Sequence, residues 1–293
     1  MIAPILIFLH LPKTGGSSLG HALHRQYSRS AKYLVDGVQP GRSVDALLAL
    51  SEQERRRFHC ISGHIPFGLH RHLPDPAVYT TLIRDPVERL ISHYHHVLNE
   101  TAHYLHEQVA GTGMSLHDYV AGDLSLELRD DQVRSLSGIG FARWDARDLE
   151  VDAAVYAAAI ENIEAHFPVV GVTERFEPSL LLMQTAFRWG NVFYTRRKVG
   201  RGRPEREAVA PETIEAIRRR NRYDMQLHAY VQARLARQIG AAGASFHLRA
   251  AWFTRANRLY NSLRSGREVP GAAVLWAAGK RLAGVRDDRS VGE

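Results

Sequence analysis

Short apolar runs alternate with segments of helical periodicity along most of the chain. Two of the runs, the first and the fourth, are apolar on both faces, which is typical of central strands in a parallel sheet that helices cover on both sides. Alternating strands and helices predict an α/β fold of three layers, with a mostly parallel sheet flanked by helices. The predicted strands are Ile5–Leu9, Tyr33–Val35, Phe58–Ser62, Val78–Ile83 and Val169–Val172.

Helices are predicted between these runs, wherever apolar residues recur at helical spacing. One follows the first strand and another follows the fourth. Three more are expected: an Ala-rich helix near Val151–Ile160, one that begins at Glu177-Pro178 and ends at Trp189, and a long one from Pro211 to Gly240.

The chain has 293 residues, enough for one sizeable α/β domain. We expect that domain to cover residues 1–240. Within it, residues 100–150 are polar and irregular with helical pieces, and we expect residues 100–165 to form an insertion beside the acceptor cleft. Residues 241–293 are basic and include several aromatic side chains, which indicates a partly helical extension, a partner surface or an interfacial anchor.

The composition is that of a folded soluble protein, with 45% hydrophobic and 24% charged residues. The single cysteine, Cys60, excludes an intrachain disulfide and a Cys-rich zinc module. No apolar run reaches the roughly 20 residues needed to cross a bilayer. Because Ile2–Leu11 is short and lacks a basic leader, we expect neither signal peptide nor anchor, and hence a cytoplasmic location.

Positive charge is concentrated toward the C-terminal end. The net charge is +7 overall, but residues 196–293 carry 21 basic and 9 acidic residues, so this third of the chain has a net charge of +12. Such a field favours an anionic partner or a membrane surface. The most basic part of this third of the chain is Thr195–Pro204, which contains two glycines. It is interpreted either as a flexible surface loop or as a flap over a phosphorylated ligand.

A glycine-rich loop, Pro12-Lys13-Thr14-Gly15-Gly16-Ser17-Ser18, separates the first strand from the first helix. Backbone N–H groups at a helix N-terminus, the helix dipole and the charge of Lys13 together favour an anion here. Gly15 and Gly16 permit positive φ and close approach of a ligand to the backbone. The order of strand, loop and helix makes the predicted fold P-loop-like.

A second strand-to-helix junction follows the fourth strand. Asp85 is the predicted N-cap, Pro86 occupies the first helical position, and Glu88 lies three residues after the cap. This arrangement places Arg84 beside a helix N-terminus, with Ser92 off the apolar face of the helix. A guanidinium forks onto phosphate oxygens and a nearby hydroxyl completes such a site, so the junction is a second candidate for anion binding.

Two other motifs compete for the first loop. A Walker A loop needs its lysine after the glycines, whereas Lys13 precedes them, which disfavours an ATPase or kinase of the ordinary type. Gly16–Gly20 matches the G-x-S-x-G elbow of α/β-hydrolases, but that elbow is a sharp turn directly after a strand, and this one lies behind a longer loop. A nucleotide-dependent phosphotransferase and a non-catalytic polyanion-binding protein remain open alternatives.

The two junctions together resemble the fingerprint of sulfotransferases that use 3′-phosphoadenosine-5′-phosphosulfate (PAPS). Pro12–Ser18 resembles their 5′-phosphosulfate loop, and Arg84–Tyr94 resembles their 3′-phosphate segment. The similarity covers roughly residues 4–240 and points to the carbohydrate type, similar to uronyl 2-O-sulfotransferases. It implies an enzyme that moves the sulfuryl group from PAPS to a hydroxyl acceptor, which we expect to be a carbohydrate.

The resemblance also implies roles for individual residues. The 5′-phosphosulfate would be held by Pro12, Lys13, Thr14, Gly15, Gly16, Ser17 and Ser18. Arg84 and Ser92 would bind the 3′-phosphate, and Arg201 or Arg203 would close over the nucleotide. Lys13 would also neutralise charge that develops on the bridging oxygen during transfer.

His64 is the expected general base. It follows Ser62-Gly63 after the third strand, at the sheet edge where α/β proteins bind ligands, and histidine suits proton transfer near neutral pH. Its counterpart in the uronyl 2-O enzymes is a catalytic histidine, although those enzymes carry a second histidine where this chain has Ser62. Gln132 and Arg134 resemble a family segment near the acceptor cleft.

No metal is expected, because phosphosulfate carries less charge than a triphosphate and its transfer depends on positioning and charge stabilisation. Five histidines near the second junction match no metal-binding spacing, and we predict a solvated, histidine-rich helix there. They are His93, His95, His96, His103 and His106. The expected partner is a hydroxyl acceptor and not nucleic acid, with peripheral membrane contact through the basic tail left open. The sequence does not indicate an oligomeric state.

Overall fold

A computed structural model describes residues 4–141, 150–195 and 206–264. The strands are β1 (Ile5–Leu9), β2 (Lys32–Leu34), β3 (Cys60–Gly63), β4 (Ala77–Ile83) and β5 (Val169–Val172). They form one parallel sheet in the order β2-β3-β1-β4-β5. All five predicted strands are confirmed, with the ends of β2, β3 and β4 shifted by one or two residues.

Helices flank this sheet in the predicted three-layer α/β arrangement. The helices are α1 (Gly16–Gln26), α2 (Pro40–Ala49), α3 (Glu52–Arg55), α4 (Pro86–Asn99), α5 (His106–Ala110), α6 (Leu116–Ala121), α7 (Asp131–Ser137), α8 (Ala153–His166), α9 (Phe176–Ala186), α10 (Pro211–Arg220), α11 (Arg222–Ala241) and α12 (Ala244–Arg264). Short 3₁₀ turns cover Leu69–His72, Leu126–Leu128, Thr173–Arg175 and Arg206–Ala208.

The long helix predicted from Pro211 to Gly240 is wrong as a single element. It divides at Asn221 into α10 and α11. The Asn221 side chain donates to the Leu128 carbonyl and accepts from the Asp130 N–H, both at 3.0 Å, so it is bonded to a distant loop at the point where the helix divides.

The helix expected to run to Trp189 is also shorter than predicted, because it ends at Ala186. Two residues further on, Arg188 adopts a left-handed φ of 54°, which an α-helix does not accommodate. The Ala-rich helix near Val151–Ile160 is confirmed and continues to His166 as α8.

Two hydrophobic cores hold the domain together. The main core includes all of β1 and packs the sheet against α1, α9 and α11. The second core lies between α4, α6 and α10 and contains Val87, Tyr119 and Ile217. The helices α5, α6 and α7 all fall within residues 100–165, and Tyr119 on α6 belongs to the second core, so the segment predicted to contain helical pieces contributes to packed structure.

The helix α12 lies in the segment predicted as an extension. Phe246 and Phe253 belong to the main core. Asn257 Oδ1 accepts from the Tyr194 N–H at 3.0 Å, and Asn261 donates to the Tyr194 carbonyl at 2.9 Å. The first part of the extension is therefore helical and packs against the α/β domain. In the described ranges no helix combines the length and the apolar character needed to cross a bilayer.

Candidate active site

Four residues that directly follow strands meet at the carboxyl edge of the sheet. The parallel register pairs the last residue of β1 with that of β3, and the last residue of β4 with that of β5. Ligands of open α/β sheets bind at this edge. The residues that come next in the chain are His10, His64, Arg84 and Thr173.

The glycine-rich loop turns from β1 into α1 through left-handed backbone. Lys13 has a φ of 65°, and Gly15, which caps α1, has a φ of 87°. The Thr14 side chain is buried, and its hydroxyl donates to the Leu11 carbonyl at 2.9 Å, which holds the turn. The first turn of α1 contains no acidic residue, so the positive end of the helix dipole is left to act on the loop.

The two junctions contact each other directly. Arg84 Nη1 donates to the Lys13 carbonyl at 3.0 Å. The Thr173 hydroxyl lies between two carbonyl oxygens, that of Thr14 at 2.6 Å and that of Ile83 at 2.9 Å. The structure therefore brings the two predicted anion-binding segments together, whereas the ligand contacts of their individual residues stay predictions.

Gln132 is completely buried and holds the Arg84 peptide. Its Oε1 accepts from the Arg84 N–H at 2.9 Å, and its Nε2 donates to the Arg84 carbonyl at 3.0 Å. Asp224 on α11 in turn accepts from the Gln132 N–H at 3.2 Å. Arg134 is also buried and donates to the Arg129 carbonyl at 2.6 Å. All of these contacts are made with other parts of the protein. A contact of Gln132 or Arg134 with an acceptor stays a prediction.

The start of α4 has the predicted capping geometry. Asp85 Oδ1 accepts from the Glu88 N–H at 3.0 Å, and Pro86 occupies the first helical position. Glu88 Oε2 lies 3.4 Å from Arg84 Nη2, which makes an ion pair across the first turn. The Arg84 guanidinium therefore has two partners in the protein, the Glu88 carboxylate and the Lys13 carbonyl.

The described residues at either end of the basic segment Thr195–Pro204 contact α1 and the start of α4. At its start, the Thr195 N–H lies 3.4 Å from His21 Nδ1 on α1. Shortly after its end, Arg206 pairs with Asp85 at 3.5 Å. The two predicted nucleotide-contacting residues of this segment, which lie outside the described residues, are Arg201 and Arg203.

His64 is half-buried at the end of β3. Its ring stacks on that of His10, with centroids 4.6 Å apart, and hydrogen-bonds to the His10 backbone. Burial lowers the pKa of His64, while the negative charge of Glu127 and the hydrogen bond to His10 act in the opposite direction. The imidazole is therefore neutral at pH 7, and the ring nitrogen that does not bond to the backbone can accept a proton.

His10 is a site residue that the sequence patterns did not reveal. Its ring lies against Gly16, where an added Cβ would come within 2.0 Å of a ring atom. Burial, followed by the charges of His64 and Lys13, lowers the pKa of His10 to about 3, so this ring is also neutral. The signal that would have identified it is its position directly after the central strand, at the same sheet edge as His64.

The prediction of a solvated histidine helix is wrong for His93. This residue is buried on α4, with Nδ1 2.7 Å from the Tyr119 hydroxyl and Nε2 2.6 Å from Glu127 Oε2. His103 joins the pair, so that one ligand atom from each of His93, His103 and Glu127 lies within 4.8 Å of the others. The remaining histidines of the group are half-buried: His95, His96 and His106.

This histidine–glutamate cluster, defined as His93, His103 and Glu127, interacts electrostatically with the candidate base. Burial alone would raise the pKa of Glu127. The hydrogen bond from His93 and the charges of His93, Arg89 and His103 act in the opposite direction and lower it to about 2. Burial and the charge of His93 lower the pKa of His103. The charge of Glu127 raises the pKa of His64, and the charge of Lys13 lowers the pKa of His103, so the cluster interacts electrostatically with the base and the loop.

The other predicted residues line the loop and α4. Ser17 is exposed and Ser18 is buried at the start of α1. The half-buried ones are Pro12, Lys13 and Ser92.

A parallel sheet that carries a glycine-rich loop, a helix N-terminus and an anchored arginine at its carboxyl edge defines a P-loop-like α/β protein suited to an anionic ligand. The hydrogen bond between Arg84 and the Lys13 carbonyl places the two junctions side by side at this edge. The chain belongs to the galactose-3-O-sulfotransferase family, whose model matches residues 6–264.

Individual relatives are similar over a shorter stretch. The chain is 28% identical over 204 residues to galactose-3-O-sulfotransferase 3 of Mus musculus. This aligned stretch covers 63% of this chain and 44% of that protein. The proteins of the same name from Bos taurus and Homo sapiens are each 26% identical over 203 residues, with the same coverage. The match therefore spans less than half the length of these curated relatives.

These comparisons confirm the predicted carbohydrate sulfotransferase family. The family that matches is the galactose-3-O type, whereas the sequence resemblance pointed to the uronyl 2-O type. The match also extends past residue 240, the expected end of the domain, to residue 264 at the end of α12.

Proposed function

We propose that this protein transfers the sulfuryl group of PAPS to a hydroxyl of a carbohydrate. The observation that carries the proposal is the contact between Arg84 and the Lys13 carbonyl, because it unites two anion-binding junctions at the edge that also holds His64. A donor with an anionic group at each end suits this arrangement: the loop favours the phosphosulfate and the guanidinium favours the 3′-phosphate. Membership of the galactose-3-O-sulfotransferase family supports the same donor.

In the proposed reaction, an acceptor hydroxyl attacks sulfur in line with the leaving group. The new bond joins the acceptor oxygen to sulfur, and the bond that breaks joins sulfur to the bridging phosphate oxygen, which keeps the electron pair. His64 takes the acceptor proton, and its neutral ring at pH 7 suits that role. Lys13 and the N–H groups at the start of α1 stabilise the charge that develops on the oxygens.

The basic segment is proposed to cover the bound donor. Thr195, its first residue, contacts His21, and Arg206, shortly after its last residue, pairs with Asp85, and these contacts support the proposal. Closure by Arg201 or Arg203 would exclude water, and this matters because water competes with the acceptor hydroxyl for the sulfuryl group.

The acceptor proposed for the first test is a glycan with a galactose unit. The relatives are named galactose-3-O-sulfotransferase 3, and the family model matches residues 6–264, which include both junctions. The 3-hydroxyl of galactose is therefore the position to examine first, with uronic-acid glycans as the competing class.

Nucleotide binding tests the donor part of the proposal. Adenosine 3′,5′-bisphosphate should raise the melting temperature of the protein without magnesium. Lys13→Ala and Arg84→Ala should each abolish that rise, whereas the control variants Lys32→Ala and Arg71→Ala, on β2 and on the turn after β3, should retain it. Stabilisation by ATP with magnesium instead would favour a phosphotransferase. Stabilisation by neither nucleotide once salt is raised would favour a polyanion-binding protein.

Transfer of labelled sulfate tests the acceptor and the base. Galactose-terminated glycans should accept the label, and uronic-acid glycans should not. His64→Ala should lose transfer and keep bisphosphate binding, because the histidine is proposed to move a proton and not to hold the nucleotide. Full transfer by His64→Ala would refute the base assignment.

A further inference from the structure

We propose that the histidine–glutamate cluster is a binding site for a transition metal ion of the zinc type. The three side chains come from three separate segments: α4, the turn that follows it, and the 3₁₀ turn Leu126–Leu128. Each offers one ligand atom, and the three atoms lie within 4.8 Å of one another, close enough to bind one ion after small side-chain rotations.

The donor set selects the kind of ion. Two imidazoles and one carboxylate are the ligands that zinc takes in many catalytic sites, where three protein ligands leave one position for water or substrate. Magnesium and calcium prefer oxygen ligands only, so the two histidines disfavour them. The site therefore suits zinc, or cobalt as its spectroscopic substitute.

Surrounding contacts hold two of the ligands in place. The Tyr119 hydroxyl lies 2.7 Å from His93 Nδ1, which directs Nε2 at Glu127. Arg89, fully buried, donates to the Glu127 carbonyl at 2.7 Å and to Asp131 at 3.2 Å, so the turn that carries the carboxylate is anchored. Such outer partners are a regular feature of metal sites, because they fix the orientation of the imidazole and the position of the ligand.

A hydrogen bond between His93 and Glu127 explains only two members of the cluster. When a metal binds, His93 Nε2 must present a lone pair, so its ring hydrogen moves to Nδ1, where the Tyr119 oxygen can accept it. The third member, His103, lies with its ring edge-on to that of His93, at a centroid distance of 5.6 Å. Its presence is what distinguishes a metal site from a hydrogen-bonded pair, so His103 is the decisive residue for a test.

The experiment uses the full chain, stripped of metal by a chelator and titrated with Co²⁺ without nucleotide or acceptor. We expect one Co²⁺ per chain with the intense visible bands of four- or five-coordinate cobalt, displaced by Zn²⁺. His103→Asn and Glu127→Gln should each weaken binding by more than about 100-fold, and Tyr119→Phe by about 10–100-fold. The control variant His247→Asn, exposed on α12, should bind like the original protein.

Failure of the wild-type chain to bind Co²⁺, or unchanged affinity in His103→Asn, would overturn the proposal. Far-UV circular dichroism and urea unfolding check that each variant is folded. If Glu127→Gln does not fold, His103→Asn decides alone, because its half-buried side chain contributes less to the core. Since binding is measured without PAPS, the outcome is independent of the proposed transfer activity.

Discussion

Gly16→Ala should destabilise this protein, although alanine is normally the better helix residue. Replacing glycine by alanine inside a helix usually stabilises by about 0.5–1 kcal/mol. At Gly16, however, the added Cβ would lie 2.0 Å from His10 Cδ2 and 2.1 Å from its Nε2. The ring cannot shift easily because it stacks on Phe8 at 5.4 Å and on His64 at 4.6 Å. Overpacking of this kind costs about 1–3 kcal/mol, so the net change should be unfavourable.

Urea unfolding of matched variants measures this effect. Gly20→Ala, on the same helix with no atom within 4 Å of the new Cβ, should be as stable as the original protein or more stable. In a His10→Ala background the overlap is gone, so Gly16→Ala should then be close to neutral, and the double-mutant cycle should show a coupling of at least about 1 kcal/mol. A Gly16→Ala protein as stable as Gly20→Ala would refute the packing of His10 against the loop.

Three further predictions concern the buried polar groups. Gln132→Leu should cost about 1–3 kcal/mol in urea unfolding and weaken bisphosphate binding, because the Arg84 peptide loses both side-chain partners; unchanged values would contradict its positioning role. Burial and the charge of Asp224 raise the pKa of Asp130 to about 7, so the folded state holds a proton that the unfolded state releases, and stability falls as pH rises from about 4 to 7. Asp130→Asn should therefore gain stability over the wild type as pH rises from 5 to 7, and a constant difference would contradict this. Because burial lowers the pKa of His64, sulfate transfer should lose activity toward acid with a midpoint below 6.5 in the pH profile, and a midpoint above that value would argue against His64 as the base.

The parts of the fold that local signals control are the parts that the sequence predicts. β1 is completely buried and the last five residues of β4 are buried, so runs of mostly apolar residues identify both strands. Asp85 caps α4 through a contact three residues away, which the local motif specifies. The division at Asn221 is different, because its side chain bonds to backbone about 90 residues earlier in the chain, and no local pattern contains that information.

The site shows the same distinction between local and long-range information. The two junctions are visible in the sequence because each combines a strand end, a helix start and a charged side chain within a few residues. The histidine–glutamate cluster is not visible, since His93 and Glu127 are 34 residues apart and only the second core brings them together. Gln132 is a third case: the family resemblance placed it near an acceptor, while its described contacts hold the Arg84 backbone.

Direct hydrogen bonds between the junctions have a consequence for ligand binding. Thr173 and Arg84 join the glycine-rich loop to the end of β4 through direct hydrogen bonds, so the fold sets the distance between the two proposed anion-binding segments. When a ligand must order a mobile site, part of the binding free energy is lost to that ordering. A site that the protein already holds in place avoids this loss. The preorganised spacing therefore favours one length of doubly anionic ligand over shorter or longer ones. Selection among nucleotides would then come from the spacing of the two anions more than from the strength of either contact.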